Sequence, residues 1–256
     1  MQGAFHACAA LVRTGAPRYI LRAMTPPAPP QPHPKAGARR LYGRAKGHPL
    51  TARQQDLVDR LGPSMAWPDE GVINPADLLP GCQDHVLEIG FGAAEHLIGQ
   101  AQRSPGAGFV GIEPFLNGVA KALAGIEDHG LANVRVKRAD AREEMERMPD
   151  GAFARIFLLF PDPWPKSRHA KRRFVQADTA RQLARLLQPG GRLRVATDVR
   201  AYADHALPIL METPGLAWRA DGPGSWRQNP ADHIITRYQS KRLGDIAPVF
   251  MEFERV

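Results

Sequence analysis

The chain has 256 residues, 43% of them hydrophobic, enough to bury a full core in one large domain or in one domain with an extension. Lys and Arg number 34 against 26 Asp and Glu, a formal net charge of +8 that is compatible with a polyanionic partner. No run approaches the roughly 18 apolar residues of a membrane-spanning helix, and Cys8 and Cys82 make neither a disulfide framework nor a metal-ligand spacing; a membrane protein, a disulfide-stapled domain and a cysteine metal site are excluded, and a reducing cytoplasmic compartment is expected.

The first acidic residue is Asp56. Arg13, Arg18 and Arg22 among small and apolar residues give 1–24 the superficial look of an organellar transit peptide. The plainer reading is an Ala, Arg and Pro bias with Met24 as a second possible start. Six prolines within 26–34 cannot pack a core, so 1–35 is expected to be a disordered extension and linker. Residues 36–80 follow as a basic arm, Arg39-Arg40-Leu41-Tyr42-Gly43-Arg44-Ala45-Lys46, and a short helix at 51–61 ending near Gly62-Pro63.

From 81 to 256 short apolar runs alternate with helical patterns. Strands are predicted at 85–89, 108–112, 133–138, 154–160, 191–197, 216–219 and 248–254. Helices are predicted at 94–103, 115–128, 141–148, 170–187 and 200–212, with Pro189-Gly190-Gly191 as a helix stop and strand start. The alternation implies an α/β domain: a mostly parallel seven-stranded Rossmann-like sheet with helices on both faces. The last two strands have no long helix pattern between them, so an antiparallel edge pair is expected.

Val86-Leu87-Glu88-Ile89-Gly90-Phe91-Gly92 reads as a strand entering a glycine turn that opens a helix, a shape that lets a ligand approach the backbone. A dinucleotide fingerprint needs a third glycine where this chain has Glu95, which disfavours a pyrophosphate and a nicotinamide oxidoreductase. Glu88 adds negative charge that suits a cationic ligand such as S-adenosylmethionine (SAM). Glu113 ends the second strand, placed to accept from ribose hydroxyls. Asp140 ends the third, where it either accepts from an adenine amino group or caps the next helix.

The apolar run 156–160 leads into Phe160-Pro161-Asp162-Pro163-Trp164-Pro165-Lys166, in which alternate prolines predict an extended, rigid corner. That corner presents Asp162 and the Trp164 ring at the carboxyl edge of the sheet, where open α/β sheets bind ligands. Trp164 is either a platform for a base or a packing residue of the turn. Lys166, Arg168, Lys171, Arg172 and Arg173 repel one another and are expected to bind phosphates, against the plainer reading of a solvated helix face. Asp198, after the fifth strand, holds a substrate base, orients Lys166 or caps the following helix. The nine histidines show no metal spacing.

Together, Leu87-Glu88-Ile89-Gly90-Phe91-Gly92, Gly111-Ile112-Glu113, Ala139-Asp140, the Pro-Asp-Pro-Trp-Pro-Lys run, Ala196-Thr197-Asp198 and Thr236-Arg237-Tyr238 resemble the bacterial tRNA (guanine-N7-)-methyltransferase family of class I SAM-dependent methyltransferases. The resemblance implies a cofactor site made by Glu88, Gly90, Gly92, Glu113, Asp140 and Asp162. It implies a substrate site made by Trp164, Lys166, Asp198, Thr236, Arg237, Tyr238 and Gln239, with Asp162 catalytic and no metal. It also implies methylation of a guanosine in the tRNA variable loop by a monomer or homodimer. Guanine N7 has no proton to lose, so Asp162 is expected to orient the base and balance its charge. The alternative is a catalytically impaired tRNA-binding protein on the same scaffold. Two departures keep it open: Ala94 stands where relatives have glycine, harmless only if its φ is negative, and Gln239 stands where many have an acid.

Overall fold

The computed structural model describes residues 47–220 and 222–256; the arginine-bearing 1–24, the proline linker and the basic arm at 39–46 lie outside them. The described chain opens with α1 (Ala52–Arg60), α2 (Gly62–Met65) and α3 (Pro75–Leu78). Then come β1 (Asp84–Ile89), α4 (Glu95–Arg103), β2 (Ala107–Ile112), α5 (Leu116–His129), β3 (Val134–Lys137), α6 (Ala141–Glu146) and β4 (Phe153–Leu159). A 3₁₀ segment (Ser167–Arg172), α7 (Ala177–Leu186), β5 (Leu187–Thr197), α8 (Arg200–Met211), β6 (Leu216–Arg219), a short 3₁₀ turn (Ser225–Arg227), α9 (Arg237–Ser240) and β7 (Val249–Arg255) complete it.

The seven strands form one sheet in the order β3-β2-β1-β4-β5-β7-β6. β1 is parallel to β2 and β4, and β4 to β5, whereas β7 runs antiparallel between β5 and β6. The α/β expectation holds, with the antiparallel strand one place in from the edge. Because side chains alternate along a strand, the sheet feeds two cores. Val86, Phe109, Phe157 and Phe250 face α1, α4 and α5 with Leu57, Leu97 and Leu123. Leu87, Val110, Ile156, Val195 and Phe253 face the other way, toward Met145, Leu183 and Tyr202. Trp67, Ile73 and Leu79 join that second core, so the residues before β1 pack on the sheet. Lys137 fastens them: its Nζ lies 2.8 Å from Asp69 and donates to the Pro68 carbonyl at 3.2 Å.

Two boundaries differ from expectation. The helix predicted at 170–187 is broken: Phe174 and Val175 turn toward the core, and α7 restarts at Ala177 behind a capping box formed by Gln176 and Thr179. β5 begins at Leu187, ahead of the Pro-Gly-Gly stop. Phe153 pairs with Leu187 but Arg155 pairs with Arg192, so 188–191 form a bulge that absorbs the proline and glycines.

β1 and β4 are adjacent, yet the chain leaves them in opposite directions across the sheet, making their junction the switch point. Ile89 is in register with Leu158, which brings the glycine turn and the proline corner side by side.

Candidate active site

On the β1 side, Gly90 (φ 70°), Gly92 (φ 56°) and Ala94 (φ 65°) all sit in the left-handed region. Glycine takes that conformation without strain, and open space stands where a Cβ at Gly90 or Gly92 would lie. Ala94 is therefore not in the negative-φ state that would make it harmless; its methyl is turned into the core and is 1% exposed. α5 crosses so closely that a Cβ at Gly118 would lie 2.4 Å from the Gly92 carbonyl.

The three predicted acids end three adjacent strands. Glu113 accepts from Gly92 N at 2.8 Å through Oε2 and from Phe115 N at 2.9 Å through Oε1. Burial pushes its carboxyl above the usual range, and those two N–H groups only partly offset the effect. Asp140 caps α6, accepting from Arg142 N at 2.9 Å, so the capping role is realised. Glu88 is 2% exposed, and its Oε2 lies 2.8 Å from Nδ1 of His96, a partner that sequence reasoning missed. The signal was faint: His96 and Gln100 stand one turn apart on a helix that follows the acid closely.

On the β4 side the corner departs from an extended path. Phe160 (φ 50°) and Trp164 (φ 42°), each preceding a proline, are left-handed. Strain of this kind persists only where the surroundings over-determine it, and here an arginine does so. Arg173 is 6% exposed; its Nε donates to the Pro163 carbonyl at 2.9 Å and its Nη2 to the Trp164 carbonyl at 3.3 Å. This corrects the expectation that Arg173 meets phosphate: its donors are turned inward on the corner. Arg142, also unforeseen, donates to the Arg172 and Arg173 carbonyls at 3.4 Å. Trp164 lies under the Arg172 guanidinium at 5.0 Å and meets the His169 ring edge-on at 5.8 Å. Desolvation and the charges of Arg172, Arg168 and Lys166 hold that imidazole below its ordinary pKa. Lys166, Arg168 and Lys171 point outward and are exposed.

Asp162 is exposed at the tip of the corner, and its charge reaches both halves of the site. It adds to the burial that raises the Glu113 carboxyl, and to the burial and the Asp198 charge that raise the Tyr238 phenol. The Asp162 charge thus acts on Glu113, just past β2, and on Tyr238, in α9.

The 229–246 segment closes the site. Thr236 caps α9, accepting from Gln239 N at 3.3 Å, and Arg237 is exposed beside it. The Tyr238 ring lies 5.5 Å from that of Phe160, and its hydroxyl donates to Asp198 Oδ1 at 3.4 Å. Asp198 is buried and its Oδ2 accepts from Gly244 N at 3.0 Å. Of the alternatives open to Asp198, capping of α8 is not the one realised: Asp245 accepts from Arg200 N at 2.8 Å. Gln239 is buried, its Oε1 2.7 Å from His233 Nε2 and its Nε2 donating to Asn229 Oδ1 at 3.2 Å. As oriented here, the amide accepts from His233 and donates to Asn229, a pairing its two unlike ends can meet. Asp198, Asn229, Gln239 and Arg242 line a cavity of about 670 Å³ at this end.

A sheet of this order with β7 antiparallel, a glycine turn after β1 and acids closing β2 and β3 define a class I SAM-dependent methyltransferase. The open space above Gly90 and Gly92 and the acceptors on Glu113 and Asp140 fit that cofactor. Residues 83–245 match a family model described as "Putative methyltransferase". A tRNA (guanine-N(7)-)-methyltransferase of Hyphomonas neptunium is 49% identical, over 84% of this chain and 98% of its own length. One of Caulobacter vibrioides is 44% identical over 89% and 98%. A solved 16S rRNA (adenine(1408)-N(1))-methyltransferase from Catenulisporales acidiphilia has a TM-score of 0.48 and 18% identity, covering 69% of this chain and 87% of that one. This chain belongs to the tRNA (guanine-N(7)-)-methyltransferase family. Among the described residues no helix is long and apolar enough to cross a membrane and no side-chain cluster could hold a metal.

Proposed function

We propose that this protein methylates N7 of a guanosine in tRNA, with the guanine held between the proline corner and the 236–239 segment. SAM, when bound, supplies the methyl group from its sulfonium. Gly90, Gly92, Glu88, Glu113 and Asp140 would hold that cofactor. The observation that carries the reading is the proline corner lying beside the glycine turn at the β1/β4 switch point, with Asp162 exposed on it.

N7 offers an in-plane lone pair and no proton, so the site needs alignment and charge compensation in place of a general base. Asp162 accepts from guanine N1–H and the exocyclic amine, selecting guanine over adenine, and balances the positive charge that the purine gains. Trp164, Tyr238 and Asp198 shape the pocket, and Lys166, Arg168 and Lys171 take the flanking phosphates.

The test is mass mapping of 7-methylguanosine in unmodified tRNA incubated with the protein and labelled SAM. Wild-type protein is expected to place the label on guanosine N7, and Asp162→Ala to lower kcat about 10²- to 10³-fold, as for loss of one preorganised electrostatic partner. Methylation at another atom, or an Asp162→Ala variant of full activity, would overturn the assignment.

A further inference from the structure

One buried imidazole has no task in that reaction. His96, the second residue of α4, is 1% exposed. Its Nδ1 lies 2.8 Å from Glu88 Oε2 and its Nε2 lies 3.2 Å from Gln100 Nε2. The same Gln100 nitrogen donates to the Asp232 carbonyl at 2.7 Å.

These contacts admit one arrangement of protons. The amide nitrogen of Gln100 carries two hydrogens, one for the Asp232 carbonyl and one for the ring, so His96 Nε2 accepts. The Glu88 carboxylate can only accept, so the ring proton sits on Nδ1. Wired in this way the imidazole is neutral. An imidazolium would set Nε2–H against the Gln100 amide hydrogens, and turning the amide over would set its oxygen against the Asp232 carbonyl. Nor can the ring swing aside, with Phe157 at 4.6 Å and His233 at 5.6 Å between ring centroids. Arg155 and Arg194 stack on that same Phe157, 5.0 and 5.4 Å from its centroid, and share Asp232 as their ion-pair partner. Two guanidinium groups nearby further disfavour a third cation.

We propose that His96 is a positioning residue that fixes the direction of the Glu88 carboxylate without cancelling its charge. A charged histidine would close Glu88 into an ion pair with little attraction left for a cation. The neutral Nδ1–H occupies one lone pair and leaves a full negative charge at the end of β1. This rests on the reading that the cleft above Gly90 takes SAM, whose amino and sulfonium groups are cationic. The wire also ends on the substrate side: Asp232 adjoins His233, the partner of Gln239.

Two measurements on the full chain test it. Long-range ¹H–¹⁵N spectra of the histidine-labelled protein without cofactor should show His96 as the neutral Nδ1–H tautomer at pH 7. An imidazolium or an Nε2–H tautomer there overturns the proposal. Calorimetry on His96→Leu should show SAM affinity down about tenfold, the scale of leaving a buried carboxylate oxygen without its donor. Affinity for 5′-methylthioadenosine, which lacks the amino acid and the sulfonium charge, should stay within about twofold, and His96→Asn, whose amide N–H replaces Nδ1–H, should recover SAM binding. Equal loss of both ligands marks His96 as packing only and sinks the idea. Wild-type protein that binds neither ligand defeats the functional reading instead, and takes the charge argument with it whatever the tautomer.

Discussion

On the β1–β3 side of the cleft, backbone N–H groups organise the carboxyl ends of the strands. Glu113 is held by the N–H groups of Gly92 and Phe115, Asp140 by that of Arg142, and the left-handed positions fall on Gly90, Gly92 and the small Ala94. On the β4–β5 side, left-handed positions fall on Phe160 and Trp164, and side chains hold the corner they belong to. Arg173 grips two carbonyls of the corner, Arg172 covers Trp164, and Tyr238 packs on Phe160. A non-glycine residue in such a conformation costs roughly 1–3 kcal/mol. The β1–β3 side is thus held mainly by backbone N–H groups, whereas the β4–β5 side is held by side chains that single substitutions can release.

The largest selective loss is expected from Arg173→Met. It removes two charge-assisted hydrogen bonds of roughly 1.5–3 kcal/mol each and frees a strained corner. The expected outcome in steady-state methylation is a fall of about 10²-fold in kcat/KM for tRNA, with SAM affinity within about twofold by calorimetry. A matching loss of SAM affinity would show that the halves are not separable. Next in size is the double reversal Arg168→Glu, Lys171→Glu, which changes exposed cations and leaves the Arg173 brace intact. Losing two phosphate contacts should weaken tRNA binding about tenfold at low salt and flatten the slope of log affinity against log salt by about two. An unchanged slope would mean that tRNA runs elsewhere.

Glu113 gives a smaller, pH-linked test of the local half. Its carboxyl is raised in the folded chain, so in the window just above the ordinary glutamate range the folded state holds a proton that the unfolded state has lost. Stability from this group is complete below that window and declines as pH rises through the folded pKa. Thermal melts of wild type against Glu113→Gln should therefore show the wild type gaining on the variant as pH falls. A gap that stays constant with pH would mean that burial of Glu113 does not carry the shift.

What the sequence disclosed follows the same division. The strand ends, the glycine turn and the acids Glu88, Glu113 and Asp140 were legible because short apolar runs mark the strands and each acid stands at or just past the end of one. The corner's location was legible too, from its prolines. Its backbone path was not: proline preference argues for extended predecessors, and only Arg173, ten residues on from Pro163, shows what holds Phe160 and Trp164 against it. Arg173 looked like its exposed neighbours Lys171 and Arg168 because charge patterning carries no information about which guanidinium turns inward. Asp198 was found at the right place with its partners unforeseen, since Tyr238 and Gly244 reach it across some forty residues of chain. The His96 wire escaped for the same reason, as Asp232 lies far from α4 in sequence.

Ala94 is where the two halves' rules meet, and magnitudes decide what its substitution does. A left-handed alanine costs about 1–2 kcal/mol relative to glycine. Against this, its buried methyl contributes roughly 0.8 kcal/mol, and glycine in its place would release about 0.4–1 kcal/mol more entropy in the unfolded chain. The terms cancel to within about 0.8 kcal/mol, so Ala94→Gly should move the melting temperature by less than about 3 °C. The methyl is buried in the core cluster that holds Leu97 and Phe91, so SAM affinity should also stay within about twofold. On this account the alanine is a neutral replacement and not a mark of lost turnover. A gain in SAM affinity of tenfold or more in Ala94→Gly would instead show that strain at this position reaches the cleft, and that the cofactor half is as dependent on its surroundings as the corner is.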